Sequence, residues 1–242
     1  MQLKFSAFSA VFWTFSNKFF NGFILFLINI IFIRYIEVKD YGIFNKSYLF
    51  ISFLTLLSEV GIGSFLVKNL TINKKIFSTA FWIVLITSVF VTLILNLTAF
   101  LSNNQTLFEL EISSFRLLST LIISNNLLTL VNSYFSRSLK NKKITIISLF
   151  SSLFAILISL FFIKNTTPLF SIIIFYISKS WLSILFSLRF LDVLPSLIFD
   201  FNLAKKFISF GVPLTLNRNI NFLNKKSPQL FCAIFLDNYS LG

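Results

Sequence analysis

The sequence predicts an all-α, polytopic transmembrane helical bundle of six helices, followed by the start of a second six-helix repeat. Composition, run length and connection length each point there. Hydrophobic residues fill 56% of the 242 positions and charged residues only 12%, with a mean hydropathy of +0.87. A soluble domain of this size needs far more polar surface. Six apolar runs reach the roughly 20 residues that a bilayer core requires, and the segments joining them are short and rich in turn and charged residues.

The first run covers about 8–35 and continues without a small-residue cleavage site, so no cleavable signal peptide is expected. Lys39-Asp40-Tyr41-Gly42 leads into the second run, about 42–67, and Asn73-Lys74-Lys75 into the third, about 78–102. Ser102-Asn103-Asn104 separates this from the fourth, about 113–136. Asn141-Lys142-Lys143 introduces the fifth, about 144–163, and Asn165-Thr166-Thr167-Pro168 the sixth, about 168–190. The longer 191–205 segment holds Asp192, Pro195, Asp200 and Lys205, and reads as a cytoplasmic connection between a bundle at 1–190 and the start of a second at 206–242.

A weak internal repeat supports that division. At an ungapped offset of 200, Ser9 matches Ser209, Asn17 matches Asn217, Lys18 matches Arg218, Asn21 matches Asn221 and Gly42 matches Gly242. Tyr35-Ile36-Glu37 likewise faces Phe235-Leu236-Asp237. Parallel repeats of six helices are one plan on which transporters are built. In this register the seventh helix copies the first, and the chain is expected to be a truncated form that stops as its second lobe begins.

Lys and Arg alternate between connections. One side carries Lys4, then Lys68, Lys74 and Lys75, then Arg137, Lys140, Lys142 and Lys143, and finally Arg189, Lys205 and Lys206. The other carries only Arg34, Lys39 and Lys164, with Glu109 and Glu111 in its middle connection. The positive-inside rule then puts the N-terminus in the cytoplasm. These basic loops are topology signals rather than ligand sites, and the net charge of +13 does not indicate a nucleic-acid partner.

Charges within the spans ask for a different explanation. Lys18 lies about ten residues into the first helix, roughly 15 Å deep. Lys179 is equally central in the sixth, between Ser178 and Ser180, and Arg218 repeats Lys18 in the seventh. A cation there costs on the order of 3 kcal/mol on insertion scales, so such residues face a cavity or a partner, or else snorkel. The expectation is a cationic, substrate-binding cavity formed by Lys18, Lys179 and Arg218. Glu59 is either a counter-ion to one of them or a partly solvated residue near the helix end. Asn17 and Asn21 share the helix face of Lys18, as a polar path for substrate or ion or as interhelical hydrogen-bonding groups. Lys46 and Arg116 fall near the outer interface, where snorkelling explains them. Lys225 and Lys226 are open, inside the seventh helix by the repeat or beyond it if Ser227-Pro228 ends that helix.

Catalysis has little to work with. Histidine is absent and Cys232 is the single cysteine, so Ser/His/Asp triads, Cys/His metal sites and an internal disulfide are excluded. The 8 acids are Glu37, Asp40, Glu59, Glu109, Glu111, Asp192, Asp200 and Asp237, mostly in expected loops. Neither enzymatic activity nor a cofactor is expected. Cations with few acids and no nucleophile suit an anionic cargo, such as a lipid-linked phosphate or pyrophosphate whose tail stays in the bilayer.

Several short motifs carry a resemblance. Phe12-Trp13-Thr14, Asp40-Tyr41-Gly42, Gly61-Ile62-Gly63-Ser64-Phe65-Leu66-Val67-Lys68, Ala80-Phe81-Trp82, Phe210-Gly211-Val212-Pro213 and Leu241-Gly242 occur in order along the chain. Together they are similar to the polysaccharide-transporter branch of the MOP exporters, which includes the O-antigen (Wzx-type) flippases. The resemblance implies two six-helix bundles around a central cationic cavity, working by alternating access in a bacterial inner membrane. It implies an undecaprenyl-pyrophosphate-linked oligosaccharide as cargo, proton or sodium coupling, and polysaccharide polymerase and chain-length proteins as partners. The second bundle departs from the pattern after its first helix. Two other readings compete: a small-molecule exporter of the MOP/MATE type, which would carry more acids in its cavity, and a membrane polymerase, which would carry a long charged outer loop.

Overall fold

The computed structural model describes residues 2–68, 72–101, 112–163 and 167–235, with the side chains of 2–7, 112 and 234 left aside. The connections expected at Ser102-Asn103-Asn104 and Asn165-Thr166, the acids Glu109, Glu111 and Asp237, Lys164, and the motif Leu241-Gly242 lie outside the described residues. Within them the chain forms eight helices and no strand: α1 (Gln2–Ile33), α2 (Val38–Ser58), α3 (Ile62–Lys68), α4 (Lys74–Leu101), α5 (Ile112–Arg137), α6 (Asn141–Ile163), α7 (Pro168–Arg189) and α8 (Phe201–Phe235).

Five helices are long and apolar enough to cross a membrane, and α2 with α3 makes a sixth span if the bent pair is taken as one. The surface agrees with a bilayer. Phe8, Phe15, Phe19 and Phe26 on α1 are 60–74% exposed, whereas Ser88, Ser124, Ser151 and Ser152 are fully buried. Apolar outside and small polar inside is the reverse of a soluble domain, and it is the arrangement that favours helix association in lipid. Many buried hydroxyls are satisfied within their own helix, as where Ser151 Oγ donates to the Ile147 carbonyl at 2.7 Å. The protein is a multi-pass helical membrane protein.

Helix boundaries depart from the apolar runs in three instructive ways. First, α4 and α6 begin on charged and amide residues, at Lys74 and Asn141, because an amphipathic first turn at the interface is helical without being apolar. Asn73 caps α4, its Oδ1 accepting the Ile76 N–H at 2.8 Å. Second, the run expected over 42–67 is not one helix. It starts earlier, so Lys39-Asp40-Tyr41-Gly42 is the first turn of α2 rather than a connection, with Asp40 favourably placed at the positive helix end. It then breaks after Ser58, and α3 leaves at 49°. Val60 and Gly61 sit at φ 53° and 62°, a left-handed pair that ends the helix. Third, α8 starts at Phe201 rather than 206, because Asp200 Oδ1 accepts the N–H groups of Asn202 and Leu203 at 2.8 and 3.0 Å. It runs on through Pro213 and Pro228, so Ser227-Pro228 does not end it and Lys225 and Lys226 are helical.

Two apolar clusters stand at opposite ends of the bundle. One gathers Phe32, Phe44, Phe115, Leu118, Ile172 and Phe175; the other Ile62, Leu66, Phe77, Leu130, Phe135 and Phe207. The second end also collects the basic connections. Lys75 pairs with Asp200 and Lys140 with Asp192, each at 2.5 Å, while Lys142 and Lys68 lie over the rings of Trp13 and Phe210. The 191–200 segment is strapped across this end. Trp82 Nε1 donates to the Ser196 carbonyl at 2.8 Å, and the Ser196 N–H donates to Ser78 Oγ at 2.9 Å.

Candidate functional site

Between the two apolar clusters the helices change character. On α5 the buried residues of the first cluster end at Ile122 and those of the second begin at Leu127, with Ser124, Asn125 and Asn126 between; on α7 they end at Phe175 and begin at Ile184, with Lys179, Ser180 and Ser183 between. These residues form a polar belt at mid-bundle, and a cavity of about 200 Å³ opens in it. Its polar lining includes Asn17, Asn125, Asn132, Ser148, Lys179 and Ser180.

Lys179 is the cation of this cavity. Its Nζ donates to Asn21 Oδ1 at 3.0 Å and lies 6.0 Å from the centre of the Phe175 ring. The Asn21 Oδ1 also accepts from Ser148 Oγ at 2.9 Å, and the Asn21 amide donates to Asn17 Oδ1. Across the cavity Ser180 Oγ donates to Asn125 Oδ1 at 2.8 Å. An ammonium has three N–H donors, and among the described residues Lys179 has no carboxylate partner. The amide chain holds it in place without neutralising it, which is the arrangement that an anionic group in low dielectric would meet.

Arg218 does not share this cavity. It reaches back across the α2–α3 break, where its Nη1 donates to Glu59 Oε2 at 2.6 Å and its Nη2 to Ser64 Oγ at 2.5 Å. The contact is close because two glycines allow it. A Cβ on Gly211 would lie 1.8 Å from the Val60 carbonyl oxygen, and one on Gly61 would lie 2.6 Å from that of Gly211. Glu59 is thus the counter-ion of Arg218 and is buried, not partly solvated; its Oε1 finds no hydrogen-bond partner among the described residues. The three cations do not come together: Arg218 pairs with Glu59, and Lys18 is exposed on α1 and lines neither this cavity nor the one described next. Asn17 and Asn21 join Lys179 instead.

A second cavity, of about 480 Å³, lies on the other side of an aromatic layer. Tyr48 and Tyr176 line both cavities, and their ring centres stand 4.9 Å apart. Phe44 packs on both, at 5.7 and 5.3 Å. Sequence reasoning missed Asn125, Asn132, Tyr48 and Tyr176 because it followed formal charge. Amides and tyrosines recurring at mid-span in otherwise apolar helices were the available signal.

A bundle with an apolar exterior and a mid-bundle cavity bearing a cation defines a multi-pass helical membrane protein. The model of the family described as polysaccharide biosynthesis protein matches residues 31–242, and the chain belongs to that family. No match was found among curated proteins or among solved structures.

Proposed function

We propose that this chain is a transporter rather than an enzyme, and that it moves an anionic, lipid-linked oligosaccharide across the bacterial inner membrane during polysaccharide synthesis. The carrying observation is Lys179, a mid-bundle ammonium held by Asn21 in a polar cavity without a carboxylate partner. A pyrophosphate offers the charge that this group lacks, and the exposed apolar faces leave a place for a polyprenyl tail in the surrounding lipid. The basic end of the bundle faces the cytoplasm by the positive-inside rule, so the head group is taken up there. Alternating access then needs a switchable contact between α8 and the preceding helices. Glu59 with Arg218 supplies one, and Glu59 is also the group through which a proton or sodium ion would couple.

Translocation tests the reading. Undecaprenyl-pyrophosphate carrying a fluorescent glycan is placed in both leaflets of vesicles, and an impermeant glycosidase reports the fraction that reaches the outer face. Vesicles containing the protein expose the inner-leaflet pool faster than protein-free vesicles, and Lys179→Gln removes most of that gain. Equal rates with and without protein would reject the function.

A further inference from the structure

We propose that the second cavity is a sugar subsite, separated from the phosphate-binding cavity by the Tyr48–Tyr176 pair. The inference rests on the proposed function, because it divides one ligand between the two chambers. The two linings share Tyr48 and Tyr176 and each holds one lysine, but the far one is richer in aromatic rings. Around Lys179 the groups are an ammonium, amides and hydroxyls suited to an anion. On the far side, Tyr41, Phe44, Tyr48 and Tyr176 supply aromatic faces, Asn29, Asn45 and Gln229 supply planar amides, and Lys226 supplies an ammonium that can donate to sugar hydroxyls. A pyranose presents an apolar C–H face that packs on an aromatic ring, and hydroxyls that an amide can meet as donor and acceptor at once. Few other ligand classes ask for both in one chamber.

Size and position agree. The far cavity, at about 480 Å³, is the larger of the two, and the smaller holds about 200 Å³. Since the sugar and the phosphate of a glycosyl pyrophosphate are covalently joined, their subsites must adjoin. They do, through two rings that face both chambers. Asn29 and Tyr41 are already oriented on each other, Tyr41 OH donating to Asn29 Oδ1 at 3.3 Å.

The chain carries its own reporter. Cys232, the only cysteine in the sequence, is half-buried in the far cavity. The wild-type chain in lipid nanodiscs is reacted with N-ethylmaleimide, alone and with one of two lipids. These are undecaprenyl pyrophosphate bearing N-acetylglucosamine, and undecaprenyl pyrophosphate without sugar. Binding of each lipid is checked in parallel by native mass spectrometry. The sugar-bearing lipid, at about ten times its Kd, slows Cys232 modification about tenfold, and the bare lipid leaves the rate unchanged. Equal slowing by both lipids would overturn the proposal by placing tail or phosphate in the far cavity. No slowing by a sugar-bearing lipid that does bind would also overturn it, placing the glycan elsewhere. If neither lipid binds, the transport reading itself falls and the subsite falls with it.

Discussion

Arg218 and Glu59 show how much one side chain's placement depends on its neighbour. Glu59 is 6% exposed and Arg218 38% exposed at its side chain, so removing the cation strands a buried carboxylate. Arg218→Met is expected to destabilise the protein by about 2–3 kcal/mol, less than for a fully buried pair because Arg218 is partly solvated. The double variant Arg218→Met with Glu59→Gln recovers most of that loss, since neither charge is then left alone. Thermal unfolding in detergent measures both. A single and a double variant with equal loss would mean that the pair contributes by packing alone. From the sequence, Lys18, Lys179 and Arg218 stand equally near mid-span. Nothing in one-dimensional spacing tells that Arg218 finds Glu59 across the α2–α3 break while Lys179 finds the amide of Asn21 and, among the described residues, no carboxylate. The pairing depends on Gly61 and Gly211 bringing two backbones together, which is a three-dimensional fact.

At the scale of elements, the 191–200 strap is the feature with a defined pH response. The Lys75 ammonium, hydrogen-bonded to Asp200, holds that carboxyl below its ordinary value of 3.8, aided by the Leu203 N–H. Lys140 depresses Asp192 in the same way. Because the folded-state values are lowered, the clasp is fully present above the ordinary carboxylate value and is lost as pH falls through the depressed one. Trp82 reports it, since its indole N–H is bonded to Ser196 within the strap. With Trp13 and Trp181 replaced by Phe, Trp82 emission should stay constant from about pH 7 to 5 and shift only below about pH 4. Asp200→Asn should give the shifted spectrum already at neutral pH. A spectrum indifferent to both would show that the strap is held by its serine contacts instead. The five spans, and the bent α2–α3 pair as a sixth apolar run, were legible because run length is a local property of an apolar chain. The break at Val60-Gly61 and the early start of α8 were not. One depends on two left-handed residues inside an apolar run, and the other on a capping carboxylate ahead of it.

The whole molecule is a bundle with an apolar coat, two apolar ends and a polar belt between them. Its family membership supports a role in polysaccharide synthesis or export; its proposed orientation can be checked directly. In a Cys232→Ser background, Leu197→Cys sits in the strap and Tyr35→Cys at the opposite end, both exposed. An impermeant maleimide on intact cells should label Tyr35→Cys and spare Leu197→Cys until the membrane is opened. The reverse pattern would invert the topology. The charge at the centre of the belt can be tested by binding. Purified protein is titrated with undecaprenyl-pyrophosphate-linked glycan and with the same glycan on uncharged undecaprenol, using wild type, Lys179→Arg and Lys179→Gln. A charge-assisted contact of about 1.5–3 kcal/mol corresponds to roughly a ten- to hundredfold preference for the pyrophosphate ligand. That preference is expected in wild type, most of it is retained in Lys179→Arg, and it is lost in Lys179→Gln. An undiminished preference in Lys179→Gln would contradict the cavity's role as the anion site.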